Sequence, residues 1–143
     1  MAHVLIADDD KIIHHLYGSA FRQAGHSVGN VHDGSEVERV LGARPFDLLL
    51  LDWMMPDMSG FDVLRRLRLS AAFCRLPVIM LTARSSPEDR EIAENAHVDL
   101  LFSKRSSPDW LVFQAEQLIV DKARVAPQAP LPGRRPQEAR FVC

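Results

Sequence analysis

The sequence predicts an α/β fold: a doubly wound parallel sheet of five strands with helices on both faces. Short apolar segments alternate five times with segments whose apolar residues recur at helical spacing. This alternation is typical of parallel strands joined by helices. A second observation supports it, because residues 48–51 are four consecutive leucines. A strand buried on both faces has such a continuous apolar run rather than a period of two.

The composition indicates one globular domain. The chain has 143 residues, 47% apolar and 25% charged, enough for a real core. Its formal net charge of -2 gives no reason to expect direct nucleic-acid binding. The apolar runs are too short to span a bilayer, and the first ten residues do not resemble a secretion signal. Cys74 and Cys143 are too few for a disulfide framework, so a cytoplasmic location is expected.

The first two strand–helix units occupy the N-terminal third of the chain. Residues 3–7 are short, apolar and partly β-branched, which favours a buried strand. Asp10 suits the N-cap of the following helix, and Gly25 suits its end. A weaker strand is expected at 26–31 and a short helix at 33–43. The adjacent His14 and His15 of the first helix are expected to be solvated.

Three more units follow the same pattern. The leucine run forms the third strand, and a turn at 56–60 precedes a helix through Leu67. A fourth strand ends at Thr82, and Pro87 lies in the first turn of the next helix. That helix contains few apolar residues, so we expect it to pack only weakly against the rest of the domain. A fifth strand ends near Lys104, and the last helix begins after Ser107.

The character of the sequence changes at Ala126. Residues 126–143 contain four prolines and no periodicity, which indicates a disordered tail or a truncated linker. The predicted domain is therefore 1–125.

Reactive side chains stand where the predicted strands end. Asp8 and Asp9 follow the first strand, Asp52 the third, Thr82 ends the fourth, and Lys104 follows the fifth. The carboxyl ends of parallel strands meet at one edge of the sheet, where ligands of open α/β folds bind. Two carboxylates about 4 Å apart repel by roughly 4 kcal/mol at an effective dielectric of about 20. Either the pKa values of the carboxyls rise, or a hard cation such as Mg²⁺ or Mn²⁺ binds and relieves this repulsion.

Four motifs resemble those of the response-regulator receiver (CheY-like) domain of two-component phosphorelay signalling. They are LIADDD, LLLLDWMMPDMSG, MLTA and FSK, in that order and at appropriate spacing. The resemblance covers roughly residues 1–125. It implies a flavodoxin-like sheet in the order 2-1-3-4-5.

The resemblance also implies roles for the residues at the strand ends. Asp52 would be the phosphorylated residue. Asp8 and Asp9 would hold the divalent metal together with Asp52 and the main-chain carbonyl of Met54. Lys104 and Thr82 would contact the phosphoryl group.

The function expected from these features is that of a stand-alone receiver without an output domain. It would accept a phosphoryl group from a sensor histidine kinase or a histidine phosphotransfer protein and present a changed protein-binding surface. Its only enzymatic properties would be self-catalysed phosphoryl acceptance and autodephosphorylation. A phosphohydrolase is a weaker alternative, because such enzymes place an acid two residues after the nucleophile and this chain has Met54 there.

A partner surface is expected at the C-terminal side of the domain. Trp110, Phe113 and Val120 fall opposite the apolar stripe of the last helix, and Leu101 lies in the strand before it. Receivers commonly use the face of helix 4, strand 5 and helix 5. We therefore expect a downstream protein partner there, or a homodimer; the alternative is that neighbouring loops or the tail partly cover these side chains. No membrane insertion is expected.

Three departures from the family pattern motivate an alternative. Lys104 is followed by Arg105 where the family usually has proline, so this loop is expected to be strained or rebuilt. Leu101 occupies the position of a frequent aromatic residue, and His97 that of a usual glycine. The alternative is a phosphorylation-independent, receiver-like interaction module with impaired switching.

Overall fold

The computed structural model describes residues 1–83 and 86–124, so the predicted tail at 126–143 lies outside the described part. The strands are β1 His3–Ala7, β2 Ser27–Val31, β3 Leu48–Asp52, β4 Val78–Thr82 and β5 Leu100–Ser103. The helices are α1 Lys11–Gln23, α2 Val37–Ala43, α3 Gly60–Leu69, α4 Pro87–Asn95 and α5 Pro108–Arg124, with a 3₁₀ turn at Gly34–Glu36 before α2. Within these residues, no helix combines the length and apolarity required to cross a bilayer.

The five strands form one parallel sheet in the order β2-β1-β3-β4-β5. The predicted fold class and strand order are confirmed. The strand order reverses between β1 and β3, which pair from Val4 with Leu48 to Ala7 with Leu51. This reversal leaves a crevice beyond the carboxyl ends of β1 and β3, where a ligand site is expected.

The leucine run of β3 lies in the centre of the sheet and contributes to both layers of the core. Leu49 and Leu51 pack in a cluster with side chains of α2 and α3. Leu48 and Leu50 pack on the other face with side chains of α1 and α5. All four are fully buried, because successive strand side chains point to opposite faces and each face is covered by helices.

The helix starts follow the sequence signals. Asp10 caps α1 by accepting a hydrogen bond from the Ile12 N–H. Ser86 and Asp89 form a reciprocal capping box at the start of α4. Among the described residues of α4, Ala93 alone is buried, which agrees with the thinly apolar pattern.

The prediction for His14 is wrong. His14 is buried, whereas Ile12 is 71% exposed. The His14 ring contacts the main-chain oxygen of Asp8 through Nε2 and the side-chain oxygen of Asn30 through Nδ1, both at 2.7 Å. Hydrogen bonding compensates the imidazole for burial, an option that an apolar pattern does not reveal. His15 is exposed, as expected.

Arg68 of α3 forms hydrogen bonds with the segments that precede β4 and β5, at the amino ends of these strands. Its guanidinium donates to the carbonyls of Leu76 at 2.8 Å and His97 at 3.0 Å, and to the Asp99 carboxylate at 2.9 Å. Asp99 also accepts an ion pair from Lys122 of α5 at 2.9 Å. His97 has a φ of 62°, the left-handed conformation that glycine adopts more easily.

Candidate functional site

Two adjacent strands bring the acidic residues together. Asp52 ends β3, and Asp8 directly follows β1, whose Ala7 is paired with Leu51. Parallel pairing therefore carries both carboxylates to the same edge. Asp8, Asp9 and Asp52 each offer an oxygen atom within 4.8 Å of the others. Asp8 and Asp52 are buried, and Asp9 is exposed.

Gly60 allows α3 to begin close to the acidic residues. A Cβ at this position would lie 2.2 Å from the Asp52 main-chain oxygen, so any side chain would displace the backbone. The Gly60 N–H also donates to the Trp53 carbonyl at 2.9 Å. The DMSG segment thus closes the loop after β3 tightly, and a glycine is required for that approach.

Lys104 reaches the two buried carboxylates from the end of β5. Its Nζ lies 3.0 Å from Oδ1 of Asp52 and 3.2 Å from Oδ2 of Asp8. The peptide bonds of the described residues include no cis bond. The Lys104–Arg105 loop is therefore rebuilt with trans peptides and still directs the lysine into the pocket.

Thr82 lies between these groups at the end of β4. It is buried and is paired with Ser103, the last residue of β5. Its carbonyl accepts a 2.9 Å hydrogen bond from the Lys104 N–H, which fixes the main chain of the lysine. The side chains of Asp8, Asp9, Asp52 and Lys104 thus meet at one edge of the sheet, and Thr82 ends the strand beside them.

The burial of the carboxylates changes their acidity. Burial and the neighbouring Asp8 charge raise the pKa of Asp52 to about 6, although Lys104 partly opposes the change. Burial also raises the pKa of Asp8, against the stabilising Asp10 N–H and Lys104. Burial by itself lowers the pKa of Lys104, but its hydrogen bond to Asp52 and the two carboxylate charges together raise it. One lysine therefore does not fully compensate the acidic cluster.

The oxygen atoms left over in the pocket fit a divalent cation. Oδ2 of Asp52 is buried without a hydrogen bond from the described residues. Oδ2 of Asp8 likewise accepts no hydrogen bond there and has only the ionic contact with Lys104. A buried carboxylate oxygen that accepts no hydrogen bond carries a desolvation cost. Hard oxygen ligands with a net negative charge are those that Mg²⁺ or Mn²⁺ prefers.

Comparison with known proteins identifies the family. The family model described as the response regulator receiver domain matches residues 4–116. The chain belongs to the response-regulator receiver family. It is thus a receiver domain of two-component signalling, and receiver domains are signalling modules that use an acidic pocket of this kind.

Similar proteins and structures agree with this assignment. The chain is 37% identical over 101 residues to the gliding motility regulatory protein of Myxococcus xanthus, covering 71% of this chain and 13% of that protein. It is 34% identical to the probable transcriptional regulatory protein TcrX of Mycobacterium tuberculosis, covering 81% of this chain and 49% of that protein. It therefore spans half or less of the length of these two relatives.

The receiver domain of the Francisella response regulator 1452 superposes with a TM-score of 0.79 at 30% identity, covering 85% of this chain and 98% of that one. The chemotaxis protein CheY4 of Vibrio cholerae gives a TM-score of 0.77 at 27% identity, covering 82% and 98%.

The residues predicted for a partner surface differ in their exposure. Trp110, Phe113 and Val120 are exposed on α5. The rings of Trp110 and Phe113 stack with their centroids 5.8 Å apart. Leu101 is half-buried and packs against the core on the α2 and α3 side of the sheet.

Sequence reasoning missed Tyr17 as a contributor to the site. Tyr17 is fully buried, and its hydroxyl contacts the main chain of the β5–α5 turn. Its position four residues after Ile13 marks it as a core residue. The polar tip of a buried tyrosine needs a partner, which is the signal that could have drawn attention to it.

Proposed function

We propose that Asp52 accepts a phosphoryl group and that the acidic pocket binds Mg²⁺ or Mn²⁺ for this reaction. The observation that supports it most is the buried Asp52 carboxylate, which has one oxygen against Lys104 and the other without a hydrogen bond among the described residues. A carboxylate held this way is oriented for nucleophilic attack. The donor would be a phosphohistidine of a sensor histidine kinase or a histidine phosphotransfer protein.

The metal would be held by side chains that the fold already groups. Asp8, Asp9 and Asp52 supply the carboxylates, and the main-chain carbonyl of Met54 is the fourth protein ligand expected by family resemblance. When bound, the cation neutralises charge on the transferring phosphoryl group. Its charge would also offset the repulsion from Asp8, which together with burial raises the pKa of Asp52.

The protein residues have separate tasks in the transfer. A carboxylate oxygen of Asp52 forms a bond to phosphorus while the bond from phosphorus to the histidine nitrogen breaks. Lys104 exchanges its contact with the Asp52 carboxylate for a phosphoryl oxygen and offsets the charge there. Thr82 offers its hydroxyl to another phosphoryl oxygen. Hydrolysis of the resulting acyl phosphate returns the aspartate, which is the limited self-catalysed activity that we propose.

The acceptor is tested with acetyl phosphate and Mg²⁺. Intact-mass measurement is expected to show a gain of one phosphoryl group for the wild type and none for Asp52→Asn. Asp57→Asn is the matched control, because Asp57 is an exposed acid of the same loop and lies outside the metal cluster. A phosphoryl adduct on Asp52→Asn would refute the assignment of the acceptor.

The switch is tested separately from the acceptor. Beryllofluoride with Mg²⁺ mimics a phosphoryl group and is expected to change the fluorescence of Trp53. The Trp53 ring packs edge-to-face with Phe61, and the two ring centroids are 4.2 Å apart. A Trp110→Phe background assigns the signal to Trp53. Unchanged fluorescence and unchanged amide resonances in α4 and α5 would favour the phosphorylation-independent interaction module instead.

Phosphorylation would be read on the face formed by α4, β5 and α5. The exposed Trp110, Phe113 and Val120 supply apolar area that suits a protein partner or a second copy of the chain. Trp110→Ala is expected to weaken the phosphorylation-dependent change in sizing or partner binding. Unchanged mass and unchanged binding would exclude this surface.

A further inference from the structure

Tyr17 connects the core of the domain to the turn that carries Lys104. It is the single tyrosine of the sequence and lies fully buried on α1. Its ring packs in the core layer between the sheet, α1 and α5. Its hydroxyl lies 3.1 Å from the main-chain oxygen of Ser106 and 3.4 Å from that of Lys104. The shorter contact is the stronger hydrogen bond, because strength falls with distance.

Among the described residues, hydrogen bonds from β4, β5 and α1 hold the main chain of the turn. The Lys104 N–H donates to the Thr82 carbonyl at 2.9 Å, which fixes the beginning of the turn to β4. The Ser106 N–H donates to the Ser103 carbonyl at 2.9 Å, and the Arg105 N–H to the Ser103 hydroxyl at 3.1 Å. These last two contacts join the turn to Ser103 at the end of β5 and span only two or three residues. The Tyr17 hydroxyl is the contact from α1 that restrains the far side of the turn.

The hydroxyl is suited to this task. Burial raises the pKa of Tyr17, partly opposed by Lys104, so the phenol keeps the proton that it donates. The ring cannot shift easily, because the core around it is closely packed. A donor on a fixed ring defines where the accepting carbonyl must lie.

We propose that Tyr17 is a positioning residue that holds the Lys104–Ser106 turn so that the Lys104 ammonium group reaches the acceptor carboxylate. The inference rests on the proposed function for the role of Lys104 in phosphoryl transfer. Lys104 contacts Asp52 at 3.0 Å and Asp8 at 3.2 Å at the same time. A displacement of the turn lengthens at least one of these contacts. In this protein, tertiary contact from α1 thus fixes a turn that lacks a proline after the lysine.

The kinetic test is a cycle of two substitutions. Tyr17→Phe removes one hydroxyl and keeps the ring, and it is expected to slow phosphorylation by acetyl phosphate about three- to tenfold, as expected for one lost hydrogen bond. In a Lys104→Met background the same change is expected to have no further effect, because the group being positioned is absent. Equal slowing in both backgrounds, or none in either, would overturn the proposal.

A measurement without phosphorylation distinguishes this inference from the proposed function. Tyr17→Phe is expected to shift the amide resonances of residues 104–106 and of Asp52, whereas Ser19→Ala, which removes another α1 hydroxyl, is expected to leave them unchanged. In the wild type, the hydroxyl proton of the single tyrosine should exchange slowly with water and show contacts to the turn. A rapidly exchanging hydroxyl, or unchanged turn resonances in Tyr17→Phe, would refute the positioning role even if Asp52 is phosphorylated. If the wild type takes up no phosphoryl group, the proposed function fails, and these resonances still decide whether Tyr17 holds the turn.

Discussion

Replacing Asp52 with asparagine should stabilise the metal-free protein at neutral pH. Asparagine resembles the protonated form of Asp52 in size and charge, and the fold disfavours the ionised form. Burial and the Asp8 charge raise the pKa of Asp52 from 3.8 to about 6. A difference of about two pKa units corresponds to roughly 3 kcal/mol, since each unit is worth about 1.36 kcal/mol.

The stability difference between Asp52→Asn and the wild type should depend on pH. Well below pH 3.8 the carboxyl is protonated in both the folded and the unfolded chain, so its ionisation costs no stability. Above that pH the unfolded chain ionises first, and the wild type loses stability until the folded pKa of about 6 is passed. The advantage of Asp52→Asn should therefore grow between about pH 4 and pH 7 and then level off near 3 kcal/mol.

Urea unfolding in the presence of EDTA at several pH values measures this advantage. Asp57→Asn serves as the control and should show no comparable growth across the same range. Adding Mg²⁺ should then stabilise the wild type much more than Asp52→Asn, because ligand binding to the folded state adds stability. A variant that is less stable than the wild type at pH 7.5, or an advantage independent of pH, would refute the reasoning.

Three further predictions concern the rest of the domain. Arg68→Met should lower the free energy of unfolding by about 3 kcal/mol or more, because it leaves the largely buried Asp99 carboxylate with a weaker set of partners. Lys122→Met should lower it by under about 1 kcal/mol. Urea unfolding measures both values, and equal costs would contradict this ranking. His97→Gly should raise the thermal midpoint by a few degrees, since glycine relieves about 1 kcal/mol of left-handed backbone strain, and a lower midpoint would count against that account. Amide hydrogen exchange should be faster in α4 than in α1, because α4 buries so little apolar surface, and equal protection would contradict the expected marginal packing.

Much of the fold was predictable because local signals and burial agree in this chain. The cap at Asp10 and the proline at position 87 mark helix starts through backbone constraints that act over a few residues. The run of β3 identifies a central strand because such a run suits only a strand covered on both faces. The acidic cluster was also predictable, since parallel strands bring their carboxyl ends to one edge.

Other features depend on contacts between distant parts of the chain. Apolar spacing alone did not reveal that His14 is buried and Ile12 exposed, because the hydrogen bonds of His14 join α1 to Asp8 and Asn30. The network around Arg68 joins residues up to 31 positions apart and leaves no local pattern.

The order of the strands and helices, the central position of β3, and the group of Asp8, Asp52 and Lys104 at one edge can all be inferred from the amino-acid sequence. These follow from periodicity, capping and the direction of parallel strands. The way Lys104 reaches the carboxylates without a following proline depends instead on contacts between distant parts of the chain. That placement depends on Tyr17, 87 residues earlier in the chain, and such a contact is fixed by packing rather than by any pattern near the lysine.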